Sequence, residues 1–189
     1  MDVDVKIITR EQIEKDAEVF SQLETFCKKA SADMREPAHI NMHWENKPNT
    51  LYAQIFHQYK YDEDTGRLFL AYVDGELAGL SGAYTYSDEK DTLICGSRTW
   101  TLKEWRTKYL HGNFLFPAQF EWAKNNGYKK AYLTFNKYNT WLYEFLQRIG
   151  NGKATAFGLS NSDTYKGLTY LENTKIINYT EQHVAVKYL

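Results

Sequence analysis

The sequence contains few of the residues that cross-link or interrupt small folds. Its 189 residues include two cysteines, three prolines and eleven glycines. Cys27 and Cys95 lie far apart and form no CxxC pair, so they indicate neither a disulfide framework nor a cysteine-based zinc site. Both are predicted to be buried apolar residues. A chain of this length can bury a core without cross-links, and no linker-like tract or repeat divides it. We therefore expect one domain over residues 1–189.

The sequence also lacks an excess of either charge and any long apolar run. Lys and Arg number 23 against 24 Asp and Glu, whereas nucleic-acid-binding proteins usually carry an excess of basic residues. The mean hydropathy is −0.61, and no run approaches the roughly 18 apolar residues of a membrane span. The start, MDVDVKIITREQIEKD, is acidic where a signal peptide is basic. We expect a cytoplasmic protein with no nucleic-acid or membrane partner.

Hydrophobic periodicity predicts the elements of the first half of the chain. Val3 to Ile8 alternates as a strand does, and Thr9 and Gln12 have capping-box spacing ahead of a helical apolar stripe. A polar segment and a short helix, Leu51 to about Tyr61, come next. Asp74-Gly75 then joins two apolar runs, which predicts a hairpin. A further strand is predicted from about Asp91 to Leu102, with Ile94, Gly96, Arg98 and Trp100 on one face.

The second half alternates helices and strands. A helix is predicted from about Asn113 to Asn126, ended by Gly127. The predicted elements that follow are a strand over 131–135, a helix over 140–148, and strands over 165–171 and 175–189, the last either continuous or broken by a bulge near Asn178. The resulting order, β-α-α-β-β-β-α-β-α-β-β, predicts a mixed α/β fold and excludes a doubly wound parallel sheet.

This order and three local segments resemble the GNAT superfamily of N-acetyltransferases over nearly the whole chain. LFLAYVDGELAGLSGAY is similar to the family's second and third strands. TLKEWRTKYLHGNFLFPAQFEWAKNNG is similar to its fourth strand, pyrophosphate loop and following helix. LTFNKYNTWLYEFLQRIG is similar to its fifth strand, the asparagine after it and the next helix. The resemblance implies a mixed, mostly antiparallel sheet flanked by helices, and acetyl-CoA as co-substrate, with no metal.

The resemblance also implies which residues bind acetyl-CoA. The strand end would pair with the pantetheine amides through its backbone, and Asn139 would help to hold the cofactor arm. A loop that leads into a helix N-terminus offers N–H groups and a positive dipole end to a pyrophosphate. The strand-end residues are Thr101, Leu102 and Lys103, and the loop residues are Arg106, Thr107, Lys108, Tyr109, Leu110, His111, Gly112 and Asn113.

The loop departs from the family pattern, which is Arg or Gln, two residues, Gly, any residue, then Gly or Ala. Arg106 stands at the first place, but Tyr109 and His111 stand where small residues belong. Glycine lets the backbone approach a phosphate closely, so these replacements narrow the cradle. Gly112 follows one position later, which indicates either a shifted loop or a lost one. His111, Lys108 and Arg106 could instead add cationic contacts to phosphate. The alternative is a solvated basic loop.

The general acid and base are less clearly marked. Many family members protonate the leaving thiolate with a tyrosine seven residues after the asparagine. Counting from Asn139 gives Leu146, whereas counting from Asn136 gives Tyr143, which is the candidate acid. The alternative for Tyr143 is a packing role with a satisfied hydroxyl. Glu104 is the candidate base, with Asp91 and Glu76 as weaker ones, and its alternative is a solvated loop charge.

The polar segment between the first two predicted helices resembles, by its position, the region of the family that often lines the acceptor pocket. By that resemblance the candidate acceptor contacts are Arg35, His39, His43 and Trp44. His39 and His43 are four residues apart, as zinc pairs are, but they lack the Glu of HExxH and lie between two prolines. Structural or surface histidines are therefore favoured over a metal site.

The resulting hypothesis is an acyl-CoA-dependent N-acyltransferase that acetylates a primary amine by direct attack in a ternary complex. The acceptor would be a small molecule or a peptide. Exposed strand edges near the C terminus favour a homodimer. One alternative is a GNAT-like binding module without catalysis, indicated by Tyr109, His111 and Leu146. Another is an acyltransferase with a macromolecular donor, an aminoacyl-tRNA or an acyl carrier protein, bound through Lys103, Arg106 and Lys108.

Overall fold

The structure is a computed structural model that describes residues 2–33, 66–156, 158–160, 162–177 and 180–189. The helix predicted over Leu51 to Tyr61 lies outside these residues. The α-helices of the described residues are α1 (Arg10–Lys15), α2 (Ala17–Asp33), α3 (Phe116–Asn125) and α4 (Thr140–Gly150). The strands are β1 (Val3–Ile8), β2 (Arg67–Val73), β3 (Glu76–Thr85), β4 (Thr92–Thr101), β5 (Lys130–Asn136), β6 (Thr169–Tyr170), β7 (Lys175–Ile177) and β8 (Thr180–Tyr188).

All eight strands belong to one sheet in the order β1-β2-β3-β4-β5-β8-β6, with β7 paired to β8. Only β4 and β5 pair in parallel, and the other pairs of described strands are antiparallel. Parallel neighbours need a crossover connection, and α3 lies in it. The predicted mixed, mostly antiparallel α/β fold is confirmed.

Several helices and turns begin or end at the residues that local sequence signals predict. Thr9 and Gln12 form the predicted capping box. Asp74 and Gly75 both have positive φ, +48° and +88°, as the tight turn between β2 and β3 requires. The predicted single apolar stripe is divided at Asp16, which leaves the helical conformation. Its carboxylate accepts the N–H groups of Glu18 and Val19, so a new helix starts there.

Helices cover both faces of the sheet and define two apolar clusters. On one face, Ile13 and Phe26 of α1 and α2 pack on the inward residues of the strands. On the other face, Phe116 and Phe120 of α3 pack together with Leu146 of α4. The prediction that both cysteines are buried and free is confirmed, and burial raises the pKa of the Cys27 thiol to about 12. Within the described ranges no helix combines the length and apolarity that crossing a membrane requires.

The predicted common face of β4 is wrong. Gly96 and Arg98 both have positive φ, +77° and +54°, and the register between β3 and β4 shifts twice in this region. Such irregularities break the two-residue alternation of a strand. Ile94 and Trp100 therefore lie with the α1–α2 cluster, whereas a side chain at Gly96 would contact Phe116 of α3.

Three predicted boundaries also differ from the structure. The helix that contains α3 starts before Asn113, through a π-helical turn at His111–Leu115, so that Pro117 lies in the first turn of α3. The strand predicted over 165–171 is reduced to β6, because Tyr165 ends a 3-10 turn, Ser162–Tyr165. The strand predicted over 175–189 is two strands, since β7 pairs antiparallel with the start of β8, with Lys175 opposite Gln182 and Ile177 opposite Thr180.

Candidate functional site

The candidate site lies where the two parallel strands separate. β4 and β5 pair from Thr92 opposite Lys130 to Cys95 opposite Leu133. Beyond this point β4 continues to Thr101 and β5 to Asn136 without pairing to each other. We call the gap between these two strand ends the wedge. The helices that follow β4 and β5 both begin at this end, so their positive dipole ends lie near it.

A buried amide holds the irregular part of β4 that opens the wedge. The Gly96 N–H donates to Gln119 Oε1 at 3.3 Å, and Gln119 Nε2 donates to Ser81 Oγ at 2.9 Å. Ser81 in turn shares a 2.7 Å hydrogen bond with Thr99. Gln119 is fully buried, so these bonds compensate for ladder bonds that the bulges remove. No sequence signal marked Gln119, because its partners lie on other elements.

At the end of β4, the backbone is only partly available to a ligand. The Leu102 N–H donates to the Ala78 carbonyl at 2.9 Å, and the Lys103 N–H donates to Asp33 Oδ2 at 2.9 Å. In an antiparallel ladder alternate residues turn their backbone groups away from the partner. Thr101 therefore faces the wedge, although its carbonyl already accepts Arg106 Nε at 3.3 Å. Of the three predicted strand-end residues, Thr101 is the one whose N–H faces the wedge.

Asp33 is a contact that sequence reasoning missed. It is the last residue of α2, and it bridges to the connection between β4 and α3. Besides the Lys103 amide, its carboxylate lies 3.9 Å from the Arg106 guanidinium. That guanidinium also stacks on the Trp100 ring at 5.1 Å. These contacts attach α2 to the end of β4.

The predicted pyrophosphate loop folds as a 3-10 helix, Lys103–Lys108. A 3-10 helix bonds each N–H to the carbonyl three residues earlier, so the amides of residues 105–109 are used within this turn and its ends. The Tyr109 N–H, for example, donates to the Arg106 carbonyl at 3.2 Å. Tyr109 itself has φ +48°, a conformation that favours glycine. The turn thus keeps a left-handed residue at the place of the family's first small residue.

His111, at the second of those places, is not a cation near neutral pH. Desolvation lowers its pKa to about 4. Its ring lies between aromatic neighbours, with centroids 5.9 Å from Tyr109 and 6.0 Å from Phe116. A cationic contact from His111 to a phosphate is therefore not supported, whereas Lys108 and Arg106 remain exposed.

A later segment of the chain lies over this loop. We call residues 158–160 and 162–165 the strap. The side-chain amide of Asn113 makes two hydrogen bonds to the strap. Its Nδ2 donates to the Gly158 carbonyl at 2.8 Å, and its Oδ1 accepts the Ser160 N–H at 3.0 Å. Asn113 Nδ2 also donates to the Lys108 carbonyl at 2.7 Å. Thr164 Oγ1 donates to the Gly112 carbonyl at 2.7 Å.

Glycines allow the strap to approach this closely. A Cβ at Gly112 would lie 2.7 Å from the Tyr165 hydroxyl oxygen and 2.9 Å from Leu159 Cδ1. A Cβ at Gly158 would lie 1.9 Å from the Thr107 carbonyl oxygen. Tyr165 is 1% exposed, and its hydroxyl has no hydrogen-bond partner among the described residues. Gly112 is thus a close-packing residue beneath the strap.

No protein-family model matches the chain, and no curated protein matches its sequence. Solved structures do. An N-acetyltransferase, PaiA of Thermoplasma acidophilum in complex with coenzyme A, is 12% identical, with a TM-score of 0.57 and 100% of both chains covered. A GNAT-family acetyltransferase of Staphylococcus aureus Mu50 is 12% identical, with a TM-score of 0.59 over 100% of this chain and 99% of that one. The aminoglycoside acetyltransferase AAC(6')-Ib, in complex with coenzyme A and kanamycin, is 12% identical, with a TM-score of 0.58 over 99% and 95%. The fold is that of the GNAT acetyltransferases.

The two remaining candidates on α4, Asn139 and Tyr143, have different surroundings, since one lies at the wedge and the other is packed in the core. Asn139 is the half-buried N-cap residue of α4 at the end of the wedge, and its side chain makes no capping bond. The Tyr143 hydroxyl instead donates to the Leu171 carbonyl at 2.8 Å, and its ring stacks on His183 at 4.6 Å. Burial raises the Tyr143 pKa. This geometry matches the packing alternative, and Leu146 is also a core residue, 1% exposed.

The carboxylates considered as bases are dispersed. Glu104 is exposed in the 3-10 turn, and Glu76 is exposed at the start of β3. Asp91 precedes β4 at the opposite end from the wedge, where Lys129 lies 3.8 Å away. The acceptor candidates Arg35, His39, His43 and Trp44 lie outside the described residues. Among the residues that are described, no group of three or more His, Cys, Asp or Glu could hold a metal ion.

The fit of coenzyme A to these residues is mixed. The wedge offers strand edges and Asn139 to an amide-bearing arm. The loop does not fit a diphosphate as it stands, because its turn amides are used internally, His111 is neutral and the strap packs on Thr107 and Gly112. The wedge therefore suits the arm of coenzyme A, whereas the closed loop does not suit its diphosphate.

Proposed function

We propose that the protein is an acyl-CoA-dependent N-acyltransferase that transfers an acetyl group to a primary amine by direct attack in a ternary complex. The wedge between β4 and β5 is the observation that carries this proposal. The likeness to N-acetyltransferases that bind coenzyme A supports it over the full chain length. The aminoglycoside acetyltransferase among them supports a small-molecule amine as acceptor.

In this proposal the chain acts mainly by positioning the two reactants. The N–H of Thr101 polarises the thioester carbonyl, as an oxyanion-site donor does. The ends of β4 and β5 that do not pair with each other take up the amides of the donor arm, and Asn139 holds that arm from the start of α4. Asp33 keeps the end of β4 in place through the Lys103 amide.

Proton transfer places modest demands on the side chains. A thiol pKa of about 8.5 makes thiolate a tolerable leaving group, so the reaction does not need the hydroxyl of Tyr143 as an acid. The attacking amine must lose a proton, since a lysine ammonium has a pKa of about 10.4. Glu104, exposed beside the end of β4, is our proposed base, acting through water.

The proposal is tested by thiol release from acetyl-CoA in the presence of kanamycin, spermidine and a lysine peptide. We expect amine-dependent release, and a loss of at least tenfold in kcat/KM for Asn139→Ala. Asn126→Ala is the matched control, because Asn126 lies at the far end of α3 and its side chain bonds to the Trp122 carbonyl. No release with any amine, together with no binding of acetyl-CoA at millimolar concentration, would refute the proposal.

The strap supports a second candidate function, a GNAT-fold binding module without catalysis. Its contacts with Asn113 and Gly112 close the loop that would hold the nucleotide. This candidate predicts that acetyl-CoA neither binds nor reacts. The measurements of acetyl-CoA binding and thiol release that test the acyltransferase therefore also decide between the acyltransferase and the binding module.

A further inference from the structure

The pyrophosphate loop and the wedge, which the resemblance assigns to coenzyme A, differ in how open they are. At the wedge, β4 and β5 do not pair with each other beyond Cys95 and Leu133. The loop is covered by the strap, and its polar groups are used inside the chain. This difference bears on the class of donor, and any conclusion about the donor rests on the proposed function.

The backbone donors of the loop are the first group to be used. The 3-10 turn occupies the amides of residues 105–109, the Lys103 N–H donates to Asp33, and the Asn113 N–H donates to the Tyr109 carbonyl at 2.8 Å. The N–H groups of residues 110–112 remain at the start of the helix. Leu110 and Gly112 are buried, and His111 is half-buried. An anion therefore meets no cluster of exposed amides among residues 105–113.

The side chains are used as well. Both ends of the Asn113 amide bond to backbone groups of the strap or the turn. The Thr164 hydroxyl donates to the Gly112 carbonyl in a buried position. These bonds join the strap to the turn and leave no donor of this set for a phosphate oxygen.

The loop also offers a diphosphate little space and little positive charge. The backbone at Gly158 lies against the Thr107 carbonyl, and Tyr165 and Leu159 lie against Gly112. The His111 imidazole is desolvated and uncharged near neutral pH. Arg106 is partly neutralised by Asp33 at 3.9 Å, and exposed charges such as Lys108 are screened by salt.

We infer that the strap takes the place of the nucleotide diphosphate, so that the protein recognises its donor through the pantetheine arm and the acyl group alone. The donor class is then a pantetheine thioester, whether it is free acyl-CoA or an arm attached to a carrier protein. The nucleotide contributes little to binding, because charge-assisted hydrogen bonds to its phosphates, each worth about tenfold or more in affinity, are absent.

The first test compares S-acetyl-pantetheine with acetyl-CoA under steady-state conditions with one amine. We expect kcat/KM values within about threefold of each other, and no inhibition by millimolar adenosine 3',5'-bisphosphate. An acetylated carrier domain as a third donor distinguishes a protein-borne arm from free coenzyme A. A preference of about 100-fold or more for acetyl-CoA over S-acetyl-pantetheine would overturn the inference.

A second test does not depend on turnover. Backbone amide NMR signals of residues 107–113 are followed while inorganic pyrophosphate is added to the wild-type protein. We expect no shifts, whereas Asn113→Ala and Thr164→Val, which loosen the strap, should acquire them. Thr169→Val, at an exposed position of β6, is the control and should behave as wild type. Shifts in the wild type would show that the strap does not exclude a diphosphate.

The two tests separate the two proposals. Transfer from both donors at similar rates supports both of them. Transfer that requires the nucleotide contradicts the donor class and leaves the acyltransferase intact. Absence of transfer from every donor refutes the acyltransferase and with it the donor class, and the pyrophosphate titration then decides only the exclusion by the strap.

Discussion

The contact between Gly158 and Thr107 permits a sharp test of how the strap is held. Gly158 has φ +87°, and a Cβ there would lie 1.9 Å from the Thr107 carbonyl oxygen, far inside the 3.4 Å at which ordinary contact begins. Gly158→Ala must therefore move the strap away from the loop. The displacement breaks the two hydrogen bonds between Asn113 and the strap.

The size of the effect follows from three contributions. An L-residue in a left-handed conformation costs about 1–2 kcal/mol, and each lost hydrogen bond costs about 0.5–1.5 kcal/mol. Gly158→Ala should therefore lower the free energy of unfolding by about 2–5 kcal/mol. Gly152 has φ +68° with nothing within 4 Å of a Cβ. Gly152→Ala carries the conformational cost alone and is the matched control.

Urea denaturation measures both free energies, and amide hydrogen exchange of the strap shows whether the loss is local. We expect faster exchange of the strap in Gly158→Ala and wild-type exchange there in Gly152→Ala. Equal destabilisation of the two variants, with equal strap protection, would mean that the strap is not packed on Thr107. The closure of the loop by the strap would then be contradicted as well.

Three further changes test the site. Tyr143→Phe removes one buried hydrogen bond and should cost about 1 kcal/mol in urea denaturation. It should change acetyl transfer less than about threefold, whereas a loss of 100-fold or more would identify a general acid. Gln119→Leu leaves the Gly96 N–H without its partner and removes one of the two hydrogen bonds of Ser81, so we expect a loss of about 2–4 kcal/mol of stability. A neutral effect would contradict the role of Gln119 in holding β4. The folded-state pKa of His111 is lowered to about 4, so the unfolded chain takes the proton first as the pH falls below its ordinary value of about 6.5. Stability should fall by about 2 kcal/mol between pH 7 and pH 5 in urea denaturation, and a His111→Gln variant that keeps the same pH slope would contradict this assignment.

The fold was largely predictable because its signals are local. The Thr9 capping box, the Asp74-Gly75 turn and the glycine after α3 at Gly127, with φ +82°, each depend on a few neighbouring residues. Hydrophobic periodicity placed the strands and helices in the right order. These signals survive in the structure because no distant contact opposes them.

The site was less predictable because distant residues build it. Asn113 bonds to Gly158, 45 residues further along the chain, and Asp33 bonds to the Lys103 amide across 70 residues. The bulge at Gly96 depends on a glutamine of α3. Nothing in the local sequence distinguishes these polar residues from exposed ones, so their roles emerge only from the tertiary structure.

The separation of β4 and β5 has a consequence for how the protein avoids self-association. Unpaired strand edges at the rim of a sheet recruit strands of other molecules. Here the parts of β4 and β5 that do not pair with each other lie in the interior of the sheet, flanked by α3 and α4, and on β5 this part is only Thr134–Asn136. A neighbouring chain would need a longer partner to add a stable strand. A short edge of this kind therefore suits a narrow ligand with alternating amide donors and acceptors, and peptide-like compounds of two or three residues are a rational starting class of inhibitors.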